Sequence, residues 1–502
     1  MYNRKRSRCE TQESCLTQDS TAQLINDPPA SCVGVRHLQV LLLFLCMMFA
    51  YIIRVNISLA IVAITRDLDD TDNGNGAIYD WSTSTKSVIL SAFFWGYLVM
   101  NLPAAVIGHK VNNKHLLGWS FAVASILSIL TPPLMHLAPK YSHVIMVVIR
   151  ICQGLSQGFM MPMVHGLLSR WGPPRERARF ATFVLVGLNF GSMLVLACSG
   201  LLASTPWGWP SIFYFSGGLG LVWVILWMLL GGNSPESHSF ISDEERDYIL
   251  KSLPGTAREG VSSQMVIPWK QIWKSGPVWA VTLAHMGQNW GVWTILTEIP
   301  TYFSEALDVN LQNDGLITAF PFLLMWIVSF PLSYLADQLI IRGYTSVTAS
   351  RKIWNSVAHW GGGAALLGMA FAGKNSTLAF TLYTISITLN CCVYMGFNVN
   401  HLDLSPNFAR ILMGISNGSA NITAIIAPLF VGAVIKDESK IDNWRIVFVC
   451  SAFAFFLANA VFLYLGSGEL QPWNDTDSGA SLDPESKSRH RTDKKSSKEE
   501  KI

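Results

Sequence analysis

Two arginines stand inside apolar stretches, Arg54 in YIIRVNISLAIVAI and Arg150 in VIMVVIRICQGLSQG. An ionised side chain at the centre of a bilayer costs at least about 2.5–3.5 kcal/mol, so one kept there marks a functional site by default. At 100° per residue, Gln157 lies within about 20° of Arg150 and His165 about 60° away, so one helical face carries all three. A glutamine donates and accepts hydrogen bonds but binds no proton at usable pH, so this face is built to hold a solute rather than to relay protons through a carboxylate. A second polar face comes from His285, Gln288 and Asn289, at i, i+3, i+4 spacing, and such a face lines a cavity rather than lipid. Asn417 and Asn421 stack at i, i+4, while Asn400 and Asp403 sit near the end of another apolar run, in FNVNHLDLSP. We read Arg54, Arg150, Gln157, Gln288 and Asn289 as substrate-binding, and His165, His285, Asn400, Asp403, Asn417 and Asn421 as coupling or gating. Arg150 has an alternative role, bonding neighbouring helices to fix the fold. For Arg54 the alternative is a snorkelling side chain.

The elements that must position these residues are membrane helices. Half of the 502 residues are apolar, 14% are charged and mean hydropathy is +0.34, against roughly 25% charge in a soluble domain. Apolar runs of about 20 residues, long enough to span, cover 37–64, 86–109, 114–137, 142–168, 178–203 and 209–231, then 276–303, 311–338, 350–373, 376–400, 408–434 and 443–466. The chain therefore reads as an all-α membrane protein of about twelve spans in two six-helix halves, 37–231 and 276–466. A polar linker, 232–275, joins them, and tails 1–36 and 467–502 read as disordered. Such a six-plus-six plan is how facilitator-type transporters are built. In the linker, Ser242 before Asp243-Glu244-Glu245 predicts the cap of a short surface helix. Pro162 predicts a bend below Gln157, and the Gly154-xxx-Gly158 pair predicts close packing on a neighbouring helix.

Basic residues set the orientation. Arg4, Lys5, Arg6, Arg8 and Arg36, then Arg170, Arg175, Arg177 and Arg179, and the RHRTDKKSSKEEKI tail all fall on one side of a twelve-span chain. That places both tails in the cytosol. The first outer loop is acidic, with Asp67, Asp69, Asp70, Asp72 and Asp80. Gln23-Leu24-Ile25 is similar to a dileucine sorting signal, with its acidic residue, Asp19, one position too far upstream. The nine cysteines make no CxxC pair and none falls in an outer loop, so no disulfide frame or metal site is expected. A net charge of +3 gives no ground for nucleic-acid binding. Nucleotide loops and HExxH are absent, so no enzymatic activity and no cofactor are expected.

RVNISLAIVAI, FFWGYLVMNLP, RICQGLSQG, RWGPPRERAR, ISDEERDYI, RKIWNSVAHWGGG, GFNVNHLDLSPNFARILMGISNG and GELQPW, in that order, resemble the anion/cation symporter family of the major facilitator superfamily. That family holds sialin, vesicular glutamate transporters and sodium-dependent phosphate cotransporters, and GVRHLQVLLLFL is most similar to an insect branch of candidate inorganic phosphate cotransporters. The resemblance implies that Arg54 binds the substrate anion, that Arg150 normally partners an acid, and that His165 matters for transport. The chain departs from the proton-coupled members at Gln157 and Gln153, where they carry acidic residues, and at Leu90, Gln288, Met161 and Trp293. The expected function is therefore alternating-access symport of a small anion, inorganic phosphate, with co-transported Na+. The alternatives are proton-coupled transport of sialate, an acidic sugar or a glutamate-like anion from lysosomes or vesicles, and a transport-inactive receptor or scaffold. The expected partners are the small anion and the lipid bilayer. The plasma membrane is the expected location, and a monomer is sufficient.

Overall fold

The structure is a computed structural model, described here for residues 33–64, 79, 81, 83–203, 205–253, 266–307, 315–435 and 440–475. The N-terminal tail with its sorting-like signal and Cys9, Cys15 and Cys32, most of the acidic loop, positions 254–265 of the linker and the basic end of the C-terminal tail lie outside the described residues. The first half comprises α1 (Val35–Ile64), α2 (Thr83–Lys110), α3 (Asn113–Leu137), α4 (Ser142–Gln157), α5 (Met160–Trp171), α6 (Arg177–Ala203) and α7 (Pro210–Leu230). The linker carries α8 (Asp243–Ser252) and α9 (Trp269–Lys274). In the second half follow α10 (Gly276–Thr301), α11 (Gly315–Ile341), α12 (Val347–Ser356), α13 (Gly362–Ala370), α14 (Ser376–Asn390), α15 (Phe397–Leu404), α16 (Ala409–Val434) and α17 (Ile441–Leu465). Among the described residues, ten helices, counting α4–α5 and α14–α15 as single spans, are long and apolar enough to cross a membrane. Two further helical stretches at expected positions, α10 and α12–α13, fall short on composition. Their polar residues point inward: His285, Gln288, Arg351, Asn355 and His359 are all buried.

Three spans are interrupted, one of them, the fourth, where the sequence predicts a bend. The fourth breaks at Gly158-Phe159, just before Pro162, whose missing N–H leaves the Gly158 carbonyl without its helical partner. The ninth carries a π-helical turn, Val357–Gly361, between α12 and α13. The tenth passes through a 3-10 turn, Cys391–Tyr394, and restarts at Phe397 as the short α15. A Cβ on Gly396 at that restart would lie 3.0 Å from Asn355 backbone atoms.

Packing follows a two-fold plan. Within the first half α1 lies along α6, α2 along α4 and α3 along α7; within the second, α10 lies along α16 and α17, and α13 along α14 and α17. The halves meet where α2 packs on α16 and α6 on α11. The second span of one half thus meets the fifth of the other, twice. Gly154 lets α4 approach α2 closely, because a Cβ there would sit 2.0 Å from the Phe93 carbonyl oxygen. Backbone cannot yield as a side-chain tip can, and overpacking costs roughly 1–3 kcal/mol. Gly154→Val is therefore expected to lower the thermal midpoint of the detergent-purified protein, and a wild-type melting curve would contradict this contact.

The linker helix is docked rather than loose. Ser242 caps α8 as expected, accepting from the Glu245 amide at 3.3 Å. Glu245 in turn accepts from the Val35 and Arg36 amides at 2.8 and 3.1 Å, supplying acceptors to the first turn of α1. Arg36 also bridges Glu245 and Glu176, each at 2.9 Å. Trp171, Ile249 and Leu253 form a small apolar core beneath.

Candidate functional site

Arg54 is caged by aromatic rings. Its guanidinium carbon lies 5.1 Å from the Tyr51 ring centre, 4.7 Å from Phe93, 4.9 Å from Phe94, 4.8 Å from Tyr97 and 5.7 Å from Trp293. Nη1 donates weakly to the Tyr51 hydroxyl at 3.4 Å, and Nε is buried without a hydrogen-bond partner. No carboxylate pairs with Arg54 among the described residues. Ring faces stabilise a desolvated guanidinium by about 2 kcal/mol or more each in favourable cases without neutralising it. The positive charge therefore remains available to an anion. A small cavity, with room for little more than a water molecule, opens beside it, with Tyr51, Arg54, Tyr97 and Gln157 as its polar wall and Met47, Ala50, Met160, Met161 and Leu188 as its apolar wall.

Arg150 is placed differently. It donates through Nη2 to the Arg54 carbonyl oxygen at 2.8 Å, and through Nη1 to the Ile53 carbonyl at 3.3 Å and to Gln153 Oε1 at 3.1 Å. Its donors are thus committed to the α1 backbone at the position of Arg54, and its cation adds to the local positive potential. Arg150 and Gln157 both turn to the α1 backbone. Arg150 pairs with Gln153, one turn away, while Gln157 donates instead to the Ala50 carbonyl at 3.3 Å. The helix break after Gln157 also separates His165 from the Arg150 face.

The second half supplies a matching polar wall. Gln288 and Asn390 exchange amide hydrogen bonds of 2.7 and 3.2 Å, whereas the side chain of Asn289 is half-buried and makes no hydrogen bond among the described residues. Asn417 donates to the Tyr97 hydroxyl at 2.9 Å and to Asn101 Oδ1 at 2.7 Å, and Asn421 donates to the Asn417 carbonyl. Tyr97 therefore touches both the Arg54 cation and α16 of the other half. Nearer the end that holds both chain tails, the Ser416 hydroxyl joins His285 Nδ1 at 3.2 Å and His401 Nε2 at 2.7 Å. The His165 ring stands edge-on to His401 at 5.5 Å.

At the tail-side end itself the seam is closed by charges. Asp403 holds Arg177 of the first half at 3.0 Å and Arg351 of the second at 2.7 Å. Asp337 accepts from the Ala178 and Arg179 amides at 3.2 and 3.0 Å, so a second-half carboxylate caps the start of α6. Arg410 donates to the Gly108 carbonyl. Asn400 donates to the Ser467 carbonyl at 2.8 Å, fixing α15 to the chain beyond α17.

A family model described as Major Facilitator Superfamily matches residues 43–410. The chain belongs to the major facilitator superfamily. It is 36% identical over 481 residues to a candidate inorganic phosphate cotransporter of Drosophila melanogaster, covering 91% of this chain and 90% of that one. Human sialin is 32% identical, covering 88% and 91% of the two chains, and human vesicular glutamate transporter 2 is 32% identical, covering 84% and 72%. Within the superfamily the chain therefore groups with the anion/cation symporters. The proton:xylose symporter structure has the same fold, with a TM-score of 0.62 at 13% identity, covering 86% of this chain and 98% of that one.

Several residues of this transporter's seam escape a reading of the sequence. The i, i+1, i+4 spacing of Phe93, Phe94 and Tyr97 puts three rings on one side of α2, and that was the available signal for the cage. Nothing local marks Arg351, Asn390 or Ser416. Their partners lie on other helices, and only the folded arrangement brings them together.

Proposed function

We propose that this transporter is a symporter that carries a small anion, inorganic phosphate, together with sodium, by alternating access of the two halves. The observation that carries the reading is Arg54: a buried cation with no carboxylate partner among the described residues, caged by neutral rings beside a cavity. The anion completes the site, with Gln157 donating hydrogen bonds on the first half and Gln288 and Asn289 facing it from the second. Arg150 holds the α1 backbone in place and adds positive potential. The Asn417 and Asn421 contacts and the Asp403 ion pairs act as the tail-side gate. Both tails are placed in the cytosol, and the plasma membrane is the proposed location.

Energetics supports coupling. Moving a divalent anion inward against about 60 mV costs roughly 2.8 kcal/mol before any concentration gradient. Gln153 and Gln157 cannot carry the driving proton. A substrate panel of labelled phosphate, sialate and glutamate, offered to expressing cells in sodium or choline medium, tests the reading. Phosphate uptake that needs sodium is the expected result; uptake of sialate or glutamate alone would overturn it.

The cluster of His165, His401 and His285, the last two joined through the Ser416 hydroxyl, favours a second reading, proton-coupled export of an organic anion, because imidazole nitrogens can pass a proton along hydrogen bonds. Gln157→Glu bears on both readings. In a sodium-driven protein it introduces a titratable group beside the cavity, so uptake is expected to acquire a new acid-dependent limb. An unchanged pH profile at normal protein level would mean that this face does not set the coupling.

A further inference from the structure

Two residues beyond Arg54, Asn56 turns to the other side of α1, toward α3 and α7. Its amide nitrogen donates to Ser216 Oγ at 2.9 Å, and Ser216 Oγ lies 3.1 Å from Ser128 Oγ. Both hydroxyls also reach the Phe213 carbonyl oxygen, at 3.2 and 3.1 Å. Asn56 is 1% exposed, Ser128 0% and Ser216 1%, yet Asn56 Oδ1 has no hydrogen-bond partner among the described residues. An unsatisfied amide oxygen inside a membrane span costs on the order of 1–3 kcal/mol, and such an atom calls for a specific explanation.

We propose that Asn56, Ser128 and Ser216, with the Phe213 carbonyl, form this transporter's sodium site. The proposal rests on the sodium-coupled reading above. The donor set is neutral hydroxyl, amide and backbone oxygen, the ligand class of a hard cation. The Ser128 and Ser216 hydroxyls and the Phe213 carbonyl oxygen stand 3.1–3.2 Å apart, close enough for one small ion to touch all three, and turning the Asn56 amide over would put Oδ1 where its nitrogen now meets Ser216 Oγ at 2.9 Å. With no carboxylate in the cluster, the set suits a singly charged ion better than a divalent one, whose dehydration calls for anionic ligands. The location also gives a mechanism for coupling. Asn56 and Arg54 are separated by only about 3 Å along the axis of α1. A second cation there is opposed by Arg54 until an anion neutralises the guanidinium. Sodium and anion therefore each raise the other's affinity, by the same factor.

Two measurements on the full-length protein test this. One is the thermal midpoint of purified protein in choline chloride as sodium chloride is titrated in. The other is the sodium dependence of phosphate uptake, normalised to surface amount. In the wild type, sodium is expected to raise the midpoint and potassium is not. In Ser128→Ala, Ser216→Ala and Asn56→Ala, the half-effective sodium concentration is expected to rise about tenfold or more in both measurements, which corresponds to about 1.4 kcal/mol. Each serine variant removes a single hydroxyl, so these two decide the matter if Asn56→Ala fails to reach the surface. Wild-type sodium curves in well-expressed variants would overturn the site while leaving sodium coupling intact, and would reduce the cluster to helix packing. A wild type indifferent to sodium in both measurements would overturn the site and the sodium-coupled reading together.

Discussion

Arg54→Ala is expected to reach the membrane in wild-type amounts and to carry no measurable anion. The native guanidinium holds no ion pair among the described residues, so its removal leaves none of their carboxylates stranded in the membrane. What is lost is the one cation that borders the cavity. Truncating one partner of a buried charged contact costs about 2–5 kcal/mol, a fall in affinity from about thirtyfold to several thousandfold. Arg54→Lys is expected to rescue poorly. An ammonium keeps the charge but lacks the planar face that lies against Phe93, Phe94 and Tyr97. Uptake normalised to surface biotinylation checks both variants. Normal flux in Arg54→Ala would remove this residue from anion binding.

Asp403→Asn is expected to open the tail-side end. Its carboxylate is buried between Arg177 and Arg351, one from each half. The amide would leave two buried cations facing each other without a counter-charge. Breaking a buried ion pair costs about 3–5 kcal/mol, and that cost falls on the tail-closed state, because opening hydrates both arginines. The population of tail-open molecules should rise by about two orders of magnitude or more. A cysteine placed at Ser416, just inside the gate, reports the change through its rate of alkylation from the tail side. Acceleration accompanied by lower net uptake is expected. An unchanged alkylation rate would show that Asp403 does not hold the halves together.

The plan of the fold was legible because each span advertises itself locally, by about 20 apolar residues and a polar boundary. α10 and α12–α13 were legible from position and spacing, although their buried polar residues dilute the apolar signal. The helix breaks were half legible. Pro162 predicted a bend below Gln157, and the break falls there, at Gly158-Phe159, since the proline acts on the carbonyl four residues before it; nothing local marked the turns in the ninth and tenth spans. The buried arginines were legible from cost alone, and their partners were not. Face-sharing geometry grouped Gln157 with Arg150, but only the packing of α4 against α1 directs Gln157 to the Ala50 carbonyl and leaves Gln153 with the arginine. Asp403 stood out near the end of its apolar run. That it joins Arg177 and Arg351 depends on contacts spanning 226 and 52 residues of sequence.

Reconstitution tests sodium-driven anion symport most directly. Purified protein is placed in liposomes, and labelled phosphate uptake is followed under an inward sodium gradient or an inward proton gradient, each imposed alone. Accumulation driven by the sodium gradient and indifferent to the proton gradient is the predicted result. Accumulation driven by protons with no response to sodium would contradict it.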